Sequence, residues 1–202
     1  MYAFIGGIPV AGKTTLAKKI INSAPFEIFY GDIDHARKNW ALEDPKLAKW
    51  VDFFRHQDET AYWQKTNCQQ HMQNVVRQSK ALWPLIFETI KQTCSMYKHA
   101  IFDGVNILPE LAHQDLNIPG IFLVISDIEI IYQRLQKKSR WGKTDELKKI
   151  EAKCFYEGES EFIKSEAKKY GYKVFDNPLE AEVELKNIFK IKICSKETNI
   201  LK

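Results

Sequence analysis

Residues 7–14, Gly7-Ile8-Pro9-Val10-Ala11-Gly12-Lys13-Thr14, set two glycines, a lysine and a hydroxyl at the spacing G-x-x-x-x-G-K-[ST]. Glycines at these places let the backbone curl until several N–H groups converge on one anion. A helix that begins near Lys13 adds the positive end of its dipole at the same point. The anion this geometry suits is the phosphate chain of a nucleoside triphosphate. Gly7, Ile8, Pro9, Val10, Ala11 and Gly12 are expected to wrap the phosphates, with the Lys13 ammonium reaching the β and γ groups. The Thr14 hydroxyl is expected on Mg²⁺, and that of Thr15 on the α-phosphate.

Three further clusters carry polar side chains of chemical interest: Gly31-Asp32-Ile33-Asp34-His35-Ala36-Arg37, Asp103-Gly104-Val105-Asn106, and the basic run Arg134 to Arg140. Each also has a plain structural reading. Asp32 and Asp34 suit a turn or a helix cap, Asp103-Gly104 suits a strand-ending turn, and the basic run suits a solvated helix end. Neither an N-K-x-D guanine motif nor a convincing D-x-x-G switch is present, so ATP is expected rather than GTP, and a GTPase switch is not indicated. Asp103 is followed by Gly104 rather than Glu, unlike the usual motor-type ATPase.

The elements that must hold these residues read as short apolar strands alternating with helices. Strands are predicted at Tyr2 to Ile5, Glu27 to Tyr30, Ala100 to Phe102, Ile121 to Ile125 and Lys173 to Phe175. Helices are predicted at Thr14 to about Ala24, Ile128 to Lys138, Asp145 to Lys169 and Leu179 to Phe189. Trp40 to Lys98 reads as two or three aromatic-rich helices with a break near Trp83-Pro84. This alternation predicts an α/β fold: a parallel five-stranded sheet with helices on both faces in three layers. Gly7, Asp32 and Asp103 each follow a strand, and ligands of such sheets bind at the carboxyl ends of the strands. One domain over 1–190 and a basic tail over 191–202 are expected.

With its loop, its Asp-x-Asp-x-x-Arg element and its Asp103-Gly104-Val105 strand end, the chain resembles the P-loop kinases of small molecules and nucleotides. That group includes shikimate, gluconate, adenylylsulfate, 2-phosphoglycerate and polynucleotide kinases. Several of them have glycine where this chain has Val10, and 2-phosphoglycerate kinase-like proteins usually have Glu where it has Asp103. The resemblance implies an ATP-dependent phosphotransferase with Mg²⁺. Asp34 is then the base that takes the proton of the attacking hydroxyl, and Arg37 clamps an anionic group of the acceptor. Asp32 orients Mg²⁺ through water or helps hold the acceptor, and Asp103 holds a Mg²⁺-bound water. It also implies an arginine-bearing lid at about 137–145, with Arg134 near adenine and Arg140, or Lys138 in its place, closing on the transferring phosphoryl group. In such kinases the acceptor site forms between the second and third strands, here within about 40–98. Arg55 and Arg77 are candidates there if they are not merely solvated, and Asn106 could face the same cleft. The rings Trp40, Trp50, Phe53, Phe54, Trp63 and Trp83 read chiefly as helical core.

Bulk properties narrow the classes. A net charge of +4 over 202 residues suits a small anionic substrate but is well short of a nucleic-acid-binding signature. No apolar run approaches bilayer length. The four cysteines, Cys68, Cys94, Cys154 and Cys194, form no CxxC, so neither a zinc site nor a redox dithiol is suggested, and a cytoplasmic, reducing home is the simplest expectation. The five histidines are expected as surface or core residues, with His35 singled out for its place beside Asp34. Partners are expected to be a nucleotide and a small-molecule acceptor, without a membrane, in a monomer or homodimer. Two other readings remain open: a polynucleotide 5′-hydroxyl kinase, and a non-catalytic ATP-binding switch.

Overall fold

Apolar residues in Tyr2–Gly7 form β1, which is buried from Ala3 onward. The computed structural model, which describes residues 1–43, 45–51, 53–54 and 57–192, sets this strand at the centre of a five-stranded sheet. Its partners are β2 (Phe29–Asp32), β3 (Ala100–Asp103), β4 (Gly120–Leu123) and β5 (Lys173–Phe175). The order is β2-β3-β1-β4-β5 and every pairing is parallel. The register sets Asp32 beside Asp103 and Ile5 beside Asp103, so three strands end together where the loop after Gly7 begins. β2 lies two residues later than predicted, because Phe29, not Glu27, pairs with Ala100.

Helix α1 (Lys13–Ser23) follows the loop, with Lys13, Leu16, Ala17 and Ile20 on its buried face. It packs with α10 (Pro178–Ile188). Between β2 and β3 lie α2 (Ile33–Glu43), α3 (Pro45–Val51), α4 (Glu59–Lys65) and α5 (Cys68–Met96). The connection is thus more helical than the two or three helices predicted from residue 40. Helix α5 runs 29 residues straight through Pro84, where a break was predicted. Proline inside a helix costs about 3 kcal/mol. Against that cost, Leu82, Trp83 and Ile86 are buried on the same turns, and the Trp83 indole N–H donates to Asp115 at 2.6 Å. Each large apolar side chain buried contributes about 1.5–3 kcal/mol, so packing outweighs the missing bond.

The chain continues through α6 (Pro109–Asp115), α7 (Ile128–Lys137) and α8 (Asp145–Cys154). The single helix predicted over Asp145 to Lys169 is one helical run, but it widens into a π-helical turn at Phe155–Ser160 before α9 (Glu161–Lys169). Such wide turns rotate the side chains that follow them and are frequent at functional sites. None of the helices among the described residues is long and apolar enough to cross a membrane. All but the first two residues of the basic tail lie outside the described residues.

Cys68 and Cys154, 86 residues apart, form a disulfide. The spacing of the cysteines in the sequence did not suggest this pairing. Cys68 opens α5 and Cys154 closes α8, and those helices pack together, so the fold makes a neighbour of what the sequence separates. The pair also sits uneasily with a reducing compartment. Closing a loop of that length restricts the unfolded chain by about 4 kcal/mol in the chain-entropy account. Reduction, or Cys154→Ala, is expected to lower unfolding free energy by an amount of that order, read as a shift of the urea midpoint with unchanged slope. An unchanged midpoint would show that the bridge contributes nothing.

Candidate functional site: a phosphate loop beside a cleft

The loop geometry follows from its residue types. Gly7 has φ +121°, and a Cβ there would collide with the Leu123 carbonyl. Gly12, at φ +95°, caps α1 and sets the turn into the helix. Val10 takes φ +55°, a left-handed conformation that costs a residue with a Cβ roughly 1–2 kcal/mol. Its carbonyl accepts a hydrogen bond from Arg134 Nη1 at 2.8 Å. Arg134 therefore grips the phosphate loop itself, a contact that the sequence did not suggest.

Lys13 is buried, and its Nζ donates to the carbonyls of Gly7 at 3.0 Å and Ile8 at 2.7 Å. Burial pushes the ammonium below its ordinary range, and Asp34 and Asp103 pull it back by attraction. Arg140 opposes the Lys13 charge, and it lines the same cavity as Pro9 of the phosphate loop.

Asp103, only 3% exposed at the end of β3, accepts two hydroxyl hydrogen bonds. Thr14 Oγ1 donates to its Oδ2 at 2.8 Å and Tyr30 OH to its Oδ1 at 2.7 Å. Burial raises the Asp103 pKa, while the two hydroxyls oppose that rise. Burial and the bond to Asp103 push the Tyr30 phenol up. Thr14 and Asp103 thus meet as a pair of hard oxygen donors, the chemistry Mg²⁺ takes. Among the described residues no three His, Cys, Asp or Glu gather as metal ligands. Such a pair suits Mg²⁺, which commonly keeps its waters and binds through few carboxylates and the substrate phosphates. Asp32 is engaged elsewhere. Its Oδ1 accepts from the His35 backbone N–H at 2.8 Å and caps the start of α2. His35 itself is exposed and contributes that backbone group.

Asp34, in the first turn of α2, accepts the Val105 N–H through Oδ1 at 3.3 Å and is thereby tied to the loop after β3. One turn further, Arg37 Nη1 donates to Asn106 Oδ1 at 2.8 Å. Asn106 is wholly buried and donates in turn to Ser79 Oγ at 2.9 Å and Gln78 Oε1 at 3.3 Å on α5. The predicted residues Arg37 and Asn106 are therefore joined directly.

Arg37 and Val105 reach a cleft of about 330 Å³, whose lining includes neither Asp34 nor Asn106. Pro9 of the phosphate loop, Arg37 and Val105 line it, as do Lys138 and Arg140 of the predicted lid. Two acids, Glu151 and Glu159, share the wall with His71, Phe54, Trp141 and Phe155. Arg55 lies outside the described residues. Arg77 is not brought to the cleft; it lines a separate cavity between α5 and the π-helical turn, with Glu157 and Phe162. Of the rings in the connection, Trp40, Trp63 and Trp83 are buried as core, whereas Phe54 faces the cleft.

Buried acids hold the segment after Arg140. The Gly142 N–H donates to Glu151 Oε2 and the Lys143 N–H to Glu59 Oε2, each at 3.2 Å. Thr144 then caps α8. Burial, with Glu59 and Glu159 as like-charged neighbours, lifts the Glu151 pKa to about 7 against the Gly142 bond and Arg140, which lower it. Tyr30, His71, Glu151 and Glu159 carry no motif that singles them out in the sequence. Tyr30 directly precedes Gly31-Asp32, so its place at a strand end was visible; the two glutamates lie in a helical run like any other charged helix residues.

The sheet order and the loop define a P-loop nucleoside-triphosphate-binding fold. No family model matches the chain, and no curated protein matches it in sequence. Among solved structures it is similar to a shikimate kinase from Acinetobacter baumannii in complex with shikimate, with TM-score 0.46 and 12% identity over 96% of this chain and 95% of that one. It is also similar to a shikimate kinase from Bacteroides thetaiotaomicron, with TM-score 0.39 and 14% identity over 94% and 98%.

The raised Glu151 pKa has a consequence for stability. Between an ordinary value of 4.5 and about 7 the folded chain binds more protons at this group than the unfolded chain. The associated stability is therefore fully present below the lower value and is lost as pH rises through the higher one. Its size is on the order of 3 kcal/mol. Urea midpoints of the parent are expected to fall from pH 5 to pH 8, and Glu151→Gln is expected to flatten that slope. Identical slopes would place the titration elsewhere.

Proposed function

We propose that the protein is an ATP-dependent kinase that phosphorylates a hydroxyl of a small molecule held in the 330 Å³ cleft. The observation that carries this reading is contiguity: Pro9 of the phosphate loop, Arg37, Val105 and Arg140 all line one cleft.

The chemistry follows from the groups present. Gly7 to Thr15 cradle the triphosphate, with Arg134 bracing the loop at Val10. Thr14 and Asp103 would hold Mg²⁺, which would supply charge neutralisation for the phosphate chain. The phosphates draw Lys13 off the Gly7 and Ile8 carbonyls, to which it is bonded without them. The acceptor hydroxyl oxygen forms a bond to the γ-phosphorus as the bond from that phosphorus to the ADP oxygen breaks. The hydroxyl proton passes to Asp34, whose Oδ1 is steadied by Val105. Arg140, with Lys138 beside it, closes on the transferring group and excludes water. Arg37, itself fixed by Asn106, holds the acceptor for Asp34.

The test is ADP release with Mg·ATP against sugars, sugar acids, phosphoglycerate, nucleosides, amino alcohols and a 5′-hydroxyl oligonucleotide, with Lys13→Ala as the blank. With a productive acceptor, Asp34→Asn is expected to lower kcat by about 10²–10⁴-fold while ATP affinity stays within about threefold. Undiminished turnover in that variant contradicts Asp34 as the base. Tight ATP binding that no acceptor turns into ADP release favours the nucleotide-binding switch instead.

A further inference from the structure

We infer that the acceptor carries a cationic amine, and that Glu151 and Glu159, walled by the rings of Phe54, Trp141 and Phe155, bind it. The inference rests on the reading of the cleft as the acceptor site. Both carboxyls are almost wholly withdrawn from solvent, at 3% and 5% exposure, yet both line the cleft. Neither faces a lysine or arginine within hydrogen-bonding distance among the described residues.

Glu159 is held in place from behind. Asn74 Nδ2 donates to Tyr62 OH at 3.2 Å, Tyr62 OH meets His71 Nδ1 at 3.0 Å, and His71 Nε2 meets Glu159 Oε1 at 3.0 Å. Both nitrogens of His71 are thereby occupied, so the ring does not turn to a ligand and the chain of bonds ends at the Glu159 carboxylate. Glu151 has one hydrogen bond, from the Gly142 backbone. The two acids repel each other, and Arg140 is the neighbouring cation that eases Glu151. Once Arg140 turns to the γ-phosphate, the acid pair loses that relief. Burial disfavours the charged form of Glu151, and an ammonium between the two acids favours that form and offsets the cost. Aromatic faces around it add cation–π attraction. An anionic group is repelled from this wall and directed to Arg37. An ammonium has no free electron pair, so the phosphoryl group goes to a hydroxyl of the same molecule. The substrate class is a small amino alcohol or amino sugar.

The experiment is calorimetric titration of the Mg·ADP-bound protein with two matched pairs, serinol with glycerol and glucosamine with glucose. The amino member of at least one pair is expected to bind tenfold or more tightly than its hydroxyl counterpart. Glu159→Gln is expected to erase that preference, and Glu151→Gln gives the same readout should the first variant fail to fold; a preserved ADP affinity shows that a variant is folded. Equal affinity within both pairs, no binding by either amine, or a preference that survives both substitutions overturns the inference. The kinase reading fails separately, if amines bind with the stated preference but no phosphate ester forms from ATP. A neutral acceptor that is phosphorylated as readily as its amine leaves that reading intact and removes this one.

Discussion

The carboxylate of Asp103 is the point on which the site depends. It lies out of solvent at the centre of the sheet edge, where an ionised group without partners would cost several kcal/mol. Two hydroxyls relieve it: Thr14 from the first turn of α1 and Tyr30 from β2. The same two bonds tie the phosphate loop to the neighbouring strands, so the electrostatic need of one buried acid sets the spacing of loop and sheet edge. The parallel register that puts Asp32 beside Asp103 then starts α2 beside the strand ends, where Asp34 bonds Val105 and Arg37 lines the cleft.

The cleft carries charges of both signs: Arg37, Lys138 and Arg140 line it, and so do Glu151 of α8 and Glu159 of the π-helical turn. Arg140 opposes the charge of Lys13 and eases Glu151, while the backbone that follows it, at Gly142 and Lys143, is anchored to Glu151 and Glu59.

How much of this was legible in the sequence depended on whether the signal was local. Gly7, Gly12, Lys13 and Thr14 announce the loop because the turn needs those residue types within eight positions. Asp34, Arg37, Asp103 and Asn106 were found because they follow apolar strands, and ligands of a parallel sheet gather at strand ends. The acid side of the cleft was not legible: Glu151 and Glu159 look like solvated helix charges until α8 and the π-helical turn are packed against α5. The bond between Cys68 and Cys154 was hidden for the same reason. Pro84 misled because its local preference for a break was overruled by the burial of Trp83 and Ile86, a matter of tertiary contact. Asp32 shows the reverse case: a residue with a plausible chemical role whose carboxylate is engaged in capping a helix.

The most direct test of the central claim is the Mg²⁺ dependence of ATP affinity, by calorimetry, in the parent chain and in Asp103→Asn. If Thr14 and Asp103 form the metal end of a working phosphate site, ATP binds at least tenfold more tightly with Mg²⁺ than with EDTA, and Asp103→Asn loses most of that difference. An ATP affinity indifferent both to Mg²⁺ and to Asp103 would contradict the account, and would leave the Thr14–Asp103 bond as a structural tie alone.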